Sequence, residues 1–99
     1  MNMFSFLDDM GNYDDRKVAR DTVGTLIVST AFTSDEGYET AIIDARGDVH
    51  PVERYPLRED CVAGHAKWVE FCRDEKNTTI CKLGGLGGLV GNSIITLVR

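Results

Sequence analysis

Leu57, Cys61, Gly64, His65, Trp68 and Cys72 recur at intervals of three and four, with Val62 and Val69 alongside. Arg58, Glu59, Asp60, Lys67, Glu70, Arg73 and Asp74 fall mainly off that stripe. The spacing puts the apolar positions on one side of a helix and predicts an amphipathic helix over Leu57 to Asp74, within a unit spanning 56–76. Acids at its start and bases further along suit the helix dipole. Pro56 is tolerated at or just before the first turn, and Asn77 is a terminator. An interior Gly64 costs about 1 kcal/mol relative to Ala; on the apolar stripe it would let a strand come close.

Ahead of the helix the period changes from 3.6 to 2. Thr22 to Thr33 is rich in β-branched residues, with Leu26 and Val28 alternating with Thr25, Ile27 and Ser29 as in a half-buried strand. Ser34-Asp35-Glu36-Gly37 reads as a turn, Tyr38 to Asp44 as a second strand, and Val49 to Tyr55 as a third. Pro51 cannot donate to a ladder, which puts the third strand at an edge or at a bulge. Arg46-Gly47-Asp48 matches an integrin-binding tripeptide, but it reads as the wet tip of a hairpin. Phe4, Leu7 and Met10, spaced by three after Ser5, predict a short N-terminal helix, followed by a loop over Gly11 to Asp15. Thr78 to Lys82 and Ser93 to Val98 read as late strands joined by a Gly-rich run.

The expected fold class is therefore α+β. A small antiparallel sheet packs against one long amphipathic helix, with a short N-terminal helix ahead of it. The expected organisation is one domain over 1–99: N-terminal helix and loop over 1–21, a three-strand meander over 22–55, the main helix over 56–76, and a Gly-rich loop with a late strand over 77–99.

Length agrees with a single small domain, since 99 residues leave no room for a second core. The formal net charge of -5 argues against broad phosphate-backbone binding, so no direct nucleic-acid contact is expected. The charge is uneven: residues 1–60 hold 13 acids against 6 bases, whereas residues 61–99 hold 3 against 5. Three Cys without paired spacing imply no disulfide framework and fit a reducing compartment. The N-terminus lacks the positive region of a secretory signal. Leu83 to Val98 is 16 uncharged residues with five Gly, too short and too Gly-rich for a spanning helix. Its small residues four apart, Gly84 with Gly88 and Gly87 with Gly91, only imitate a membrane packing face.

Candidate chemistry is sparse. Cys61, His65 and Cys72 share one helix face, where thiolate and imidazole would suit zinc, but no Cys pair has the close spacing of a structural site. A Cys61 or Cys72 nucleophile activated by His65 has no third group to orient it. Asp14-Asp15 and Asp35-Glu36 are acid pairs of the kind that hold divalent cations, and in turns such pairs are usually just solvated. The run Leu83 to Gly91 has neither a phosphate-loop ending nor a dinucleotide pattern. Asn77-Thr78-Thr79 is a glycosylation sequon with no meaning in the cytosol. No catalytic residue, metal or cofactor is expected.

Two stretches carry a resemblance. Tyr38-Glu39-Thr40-Ala41-Ile42 and Val52-Glu53-Arg54-Tyr55, the latter followed by Arg58-Glu59-Asp60 and Ala63-Gly64-His65-Ala66-Lys67-Trp68-Val69, resemble a group of small uncharacterised phage and prophage proteins. In that group a YETAV strand precedes a VExY strand and a REEAxxGHxKWV helix. Leu7 to Arg20 is also similar, so the likeness covers roughly the first three-quarters of the chain. The chain departs from the group at Pro56-Leu57, where Asp followed by Thr or Ser would cap the helix, and at Cys61, where Ala is usual.

The resemblance implies a phage or mobile-element product acting in the bacterial host cytoplasm. It would work by binding and blocking a host protein, including CRISPR effector nucleases and other defence machinery. The expected partner is a host protein, with nucleic-acid-binding proteins among the candidates, and no membrane involvement is expected. Carboxylates standing in for phosphates would then occupy a basic groove, and Asp14, Asp15, Asp35, Glu36 and Glu39 are the expected contact residues. The alternative expectation is a structural accessory protein that self-assembles as a homodimer through its last strand. A metal- or cysteine-dependent enzyme stands third.

Overall fold

Four strands follow one another as an antiparallel meander: β1 (Lys17–Val23), β2 (Leu26–Thr33), β3 (Gly37–Ile43) and β4 (Val49–Tyr55). The helix α1 (Arg58–Arg73) packs on one side of this sheet, and β5 (Thr79–Lys82) pairs with β6 (Ser93–Thr96) in a separate two-stranded sheet. This computed structural model describes residues 17–33, 37–84 and 91–99. The architecture is α+β, as the periodicities predict. The expected N-terminal helix lies outside the described residues.

The expected single strand from Thr22 to Thr33 is two strands, and the meander has four rather than three. Gly24 has φ +63, a left-handed conformation open to glycine, and it turns the chain so that Val23 pairs with Leu26. β1 then runs back to Lys17, so the expected boundary at residue 21 falls inside a strand. Lys17 to Thr22 shows no apolar alternation because β1 is an edge strand and most of its residues stay exposed.

Alternation holds best in the centre of the sheet. Leu26, Val28 and Thr30 of β2 and Thr40 and Ile42 of β3 are buried beneath α1. β4 is the opposite edge, and its register with β3 slips between Thr40 and Ala41, beside Pro51. The proline's carbonyl accepts a hydrogen bond from Leu83 N at 2.8 Å, which ties the second hairpin to that edge. Proline's missing donor is thus placed where no ladder partner is needed.

α1 buries Cys61, Gly64, His65 and Cys72, with Trp68 half-buried, so the stripe read from the sequence is the packed face. Leu57 is the exception. It occupies the N-cap position, is 52% exposed and gives the helix no side-chain cap. At the far end the Arg99 guanidinium donates to the carbonyls of Cys72 (3.1 Å), Asp74 (3.0 Å) and Asn77 (2.8 Å). A cation there satisfies orphan carbonyls and complements the dipole. Ile80 and Leu97 from the late hairpin complete the core formed by Leu26, Val28, Ile42, Val52 and Cys72.

Candidate functional site: a groove between the first strand and the helix

A groove of about 660 Å³ runs between β1 and α1. β1 contributes Val18, Ala19 and Asp21, and α1 contributes Arg58, Val62, Val69 and Arg73 at helical spacing. Valines and alanines make up the apolar part of the walls, Asp21 and Glu70 also line them, and each end carries an arginine. Arg73 lies 3.7 Å from Glu70 in an exposed pair, the sort of contact that contributes little. Val62 is 48% exposed although it adjoins the predicted buried stripe, because the groove lies open beside it.

His65 forms the floor. Its Nε2 donates to Asp21 Oδ2 at 2.7 Å, and its Nδ1 lies 2.7 Å from Thr30 Oγ1, which is 2.5 Å from Thr40 Oγ1. A carboxylate, an imidazole and a hydroxyl in that order have the connectivity of a nucleophile relay. Thr30 is 0% exposed, however, and its hydroxyl is held against Thr40, so no substrate atom reaches it. The chain of bonds instead satisfies buried polar groups beneath the helix.

The thiols do not join this array. Cys61 Sγ donates to the Arg58 carbonyl at 3.0 Å, and both ring nitrogens of His65 are engaged elsewhere. Burial pushes the Cys61 and Cys72 thiols above the ordinary range, the reverse of an activated nucleophile. Neither the thiol–imidazole pair nor the Cys61, His65 and Cys72 ligand set is assembled among the described residues.

A different trio converges. Asp44, Asp48 and His50 place one ligand-type atom each within 4.8 Å of one another. Asp44 is already saturated: Oδ1 accepts from the backbone N–H of Arg46 (3.0 Å) and Asp48 (3.2 Å), and Oδ2 accepts from His50 Nε2 (3.0 Å) and Val98 N (3.4 Å). Burial works to raise this carboxyl, but the bonds from His50 and the three backbone N–H groups outweigh it and hold its pKa below the ordinary value. A metal on His50 Nε2 would displace that proton to Nδ1, which is buried with no partner. The donors suit a clamp that closes the β3–β4 turn, where Gly47 takes φ +86 and donates to the Asp44 carbonyl.

Of the expected contact residues, Asp14, Asp15, Asp35 and Glu36 lie outside the described residues. Glu39 sits on β3 opposite Arg54 of β4 and accepts from its Nε at 2.9 Å, with the carboxylate side chain only 19% exposed. Its charge is therefore engaged within the sheet. The last strand, expected to pair across a dimer, pairs with β5 of its own chain. Sequence reasoning missed Asp21 and Asp44. Their only sequence signal was a carboxylate within or beside a strand: the His65 partner of Asp21 lies 44 residues away, and the nearby partners of Asp44 are two backbone N–H groups and His50, brought round by the turn.

Acid and base balance differently in the body than in the whole chain. Among the described residues ten carboxylates meet ten Lys and Arg, so the -5 resides in residues 1–16 and 34–36. Those segments join the sheet at Lys17, Thr33 and Gly37. The last two are register partners and Lys17 pairs with Ala31, so all three attachment points are at one end of the sheet. Among the described residues no helix is long and apolar enough to cross a membrane. Comparison with protein-family models, curated proteins and solved structures finds no match to the chain.

Proposed function

We propose that this chain is a small binding protein of phage or prophage origin that occupies and blocks a host bacterial protein, as an anti-defence factor acting in the host cytoplasm. The observation that carries the reading is the segregation of charge. Two acidic segments attach to a formally neutral body, and their attachment points share one end of its sheet. Solubility alone would be served by acids spread along the chain, whereas acids concentrated in two segments rooted at one end of the sheet favour a local negative potential of the kind that steers and seats on a basic groove. Asp14, Asp15, Asp35 and Glu36 are the contact residues. Glu39, held by Arg54, supports them from the sheet rather than touching the partner.

The test is a competition. Tagged protein is incubated with bacterial lysate, and the retained proteins are challenged with short duplex DNA and with rising salt. The expected result is retention of a nucleic-acid-binding protein that DNA displaces. A variant carrying Asp14→Lys, Asp15→Lys, Asp35→Lys and Glu36→Lys should lose it while keeping the wild-type circular dichroism. Retention of the same protein by the folded variant would overturn the proposal.

A further inference from the structure

The groove lies between the edge strand β1 and the helix, and its two sides offer different chemistry. β1 is the outermost strand of its sheet, and Val23 pairs with Leu26 across a two-residue turn. Such a turn is closed by a hydrogen-bonded pair, and bonding then alternates along the strand. Thr22, exposed and next to Val23, therefore directs its N–H and C=O away from β2, toward the outer side of the sheet. On the helix side, Val62 and Val69 stand seven residues apart, about 10 Å, and Val62 is 48% exposed.

Length and charge select the occupant. Arg58 and Arg73 stand fifteen residues apart on α1, about 22 Å. Seven residues of extended chain cover about 23 Å, so the groove matches one strand of the same length as β1. Charge along it is matched except at one end. Asp21 accepts from His65, and Glu70 pairs with Arg73. Arg58 forms no ion pair among the described residues. We propose that the groove is a docking site for an extended peptide of a partner protein, laid beside β1 as a further strand. Its alternate side chains rest on Val62 and Val69, and a carboxylate at one end meets Arg58. In this mode main-chain bonds to the edge strand supply affinity, and the side chains facing the groove supply specificity. The site is separate from the acidic segments, so this inference does not rest on the function proposed above.

A random decapeptide display library selected on the full chain tests it. Enriched sequences should carry apolar residues at alternate positions, with Asp or Glu toward one end. Selection on Arg58→Glu should exchange that acid for Lys or Arg and keep the apolar alternation. Selection on Val62→Lys should enrich no such sequence. Val49→Lys, at a β4 residue that is 53% exposed and does not line the groove, should enrich the same sequences as wild type. A synthetic peptide of the enriched sequence should shift the amide resonances of Ala19 to Val23 and of Val62 to Val69, and Arg58→Glu should weaken it by about threefold. N-methylation of the peptide amides that face β1 should abolish binding, whereas methylation of the alternate amides should not. Enrichment at helical spacing of three and four would overturn the proposal and assign the groove to a helix. The same sequences from Val62→Lys, or no enrichment on wild type, would overturn it outright. Concentration-dependent shifts of Ala19 to Val23 in the protein alone would overturn it in favour of a second copy.

Discussion

Thr30 sits at the centre of the sheet with no exposed surface, and its hydroxyl bridges Thr40 and His65. A polar atom placed there is tolerated only because both neighbours reciprocate. Thr30→Val keeps the shape and strands two buried partners, so it should destabilise the fold by about 1–3 kcal/mol, the cost of leaving such groups unsatisfied. Thr30→Ser keeps the hydroxyl and should retain more stability than Val. Urea denaturation of the three proteins checks the order, and a Val variant as stable as wild type would show that the bridge contributes nothing. His65 could be read from the sequence as a satisfied boundary histidine on the packed stripe. Its partners Asp21 and Thr30 could not, because they lie on strands 44 and 35 residues away.

At the level of elements, the helix was the most legible feature, and Gly64 shows why. Its place on the buried stripe predicts a close approach by a strand. A Cβ at that position would overlap the hydroxyl and ring of Tyr55, the last residue of β4. That ring cannot simply swing away, since its hydroxyl donates to Glu53 Oε1 at 2.6 Å, and the same oxygen accepts from Trp68 Nε1 at 2.8 Å. Gly64→Ala gains about 1 kcal/mol of helix propensity and meets an overpacking cost of about 1–3 kcal/mol. The net expectation is destabilisation, contrary to the usual helical Gly→Ala result. A raised midpoint in thermal unfolding would contradict it. β1 was the least legible element, because an exposed edge strand carries no alternation to read.

Across the whole molecule, Asp44 joins parts that are distant in sequence. It closes the β3–β4 turn through Arg46, Asp48 and His50, and it reaches Val98 at the C-terminal end. Its folded carboxyl titrates below the ordinary 3.8. The unfolded chain therefore takes up this proton first as pH falls. Stability from this group is fully present above the ordinary value and is lost as pH drops through it toward the folded value. Glu53, which accepts from Lys67, Tyr55 and Trp68, is shifted the same way and adds to the loss. Denaturation midpoints should fall steeply below about pH 4. Asp44→Asn should be less stable at neutral pH and lose part of that steepness. An unchanged pH profile in the variant would remove Asp44 from the account.

The sequence by itself determined the class of fold, the packed face of α1, the strands of the sheet centre and the excess of acids over bases in residues 1–60. These follow from local period and composition, which act between neighbours in the chain. Only the tertiary structure decided that β1 exists, that Glu39 is matched by Arg54, that His65 answers to Asp21 rather than to a cysteine, and that the points where the acidic segments attach share one end of the sheet. Each depends on residues brought together by strand pairing across long loops, where hydrogen-bond geometry and not sequence proximity selects the partner.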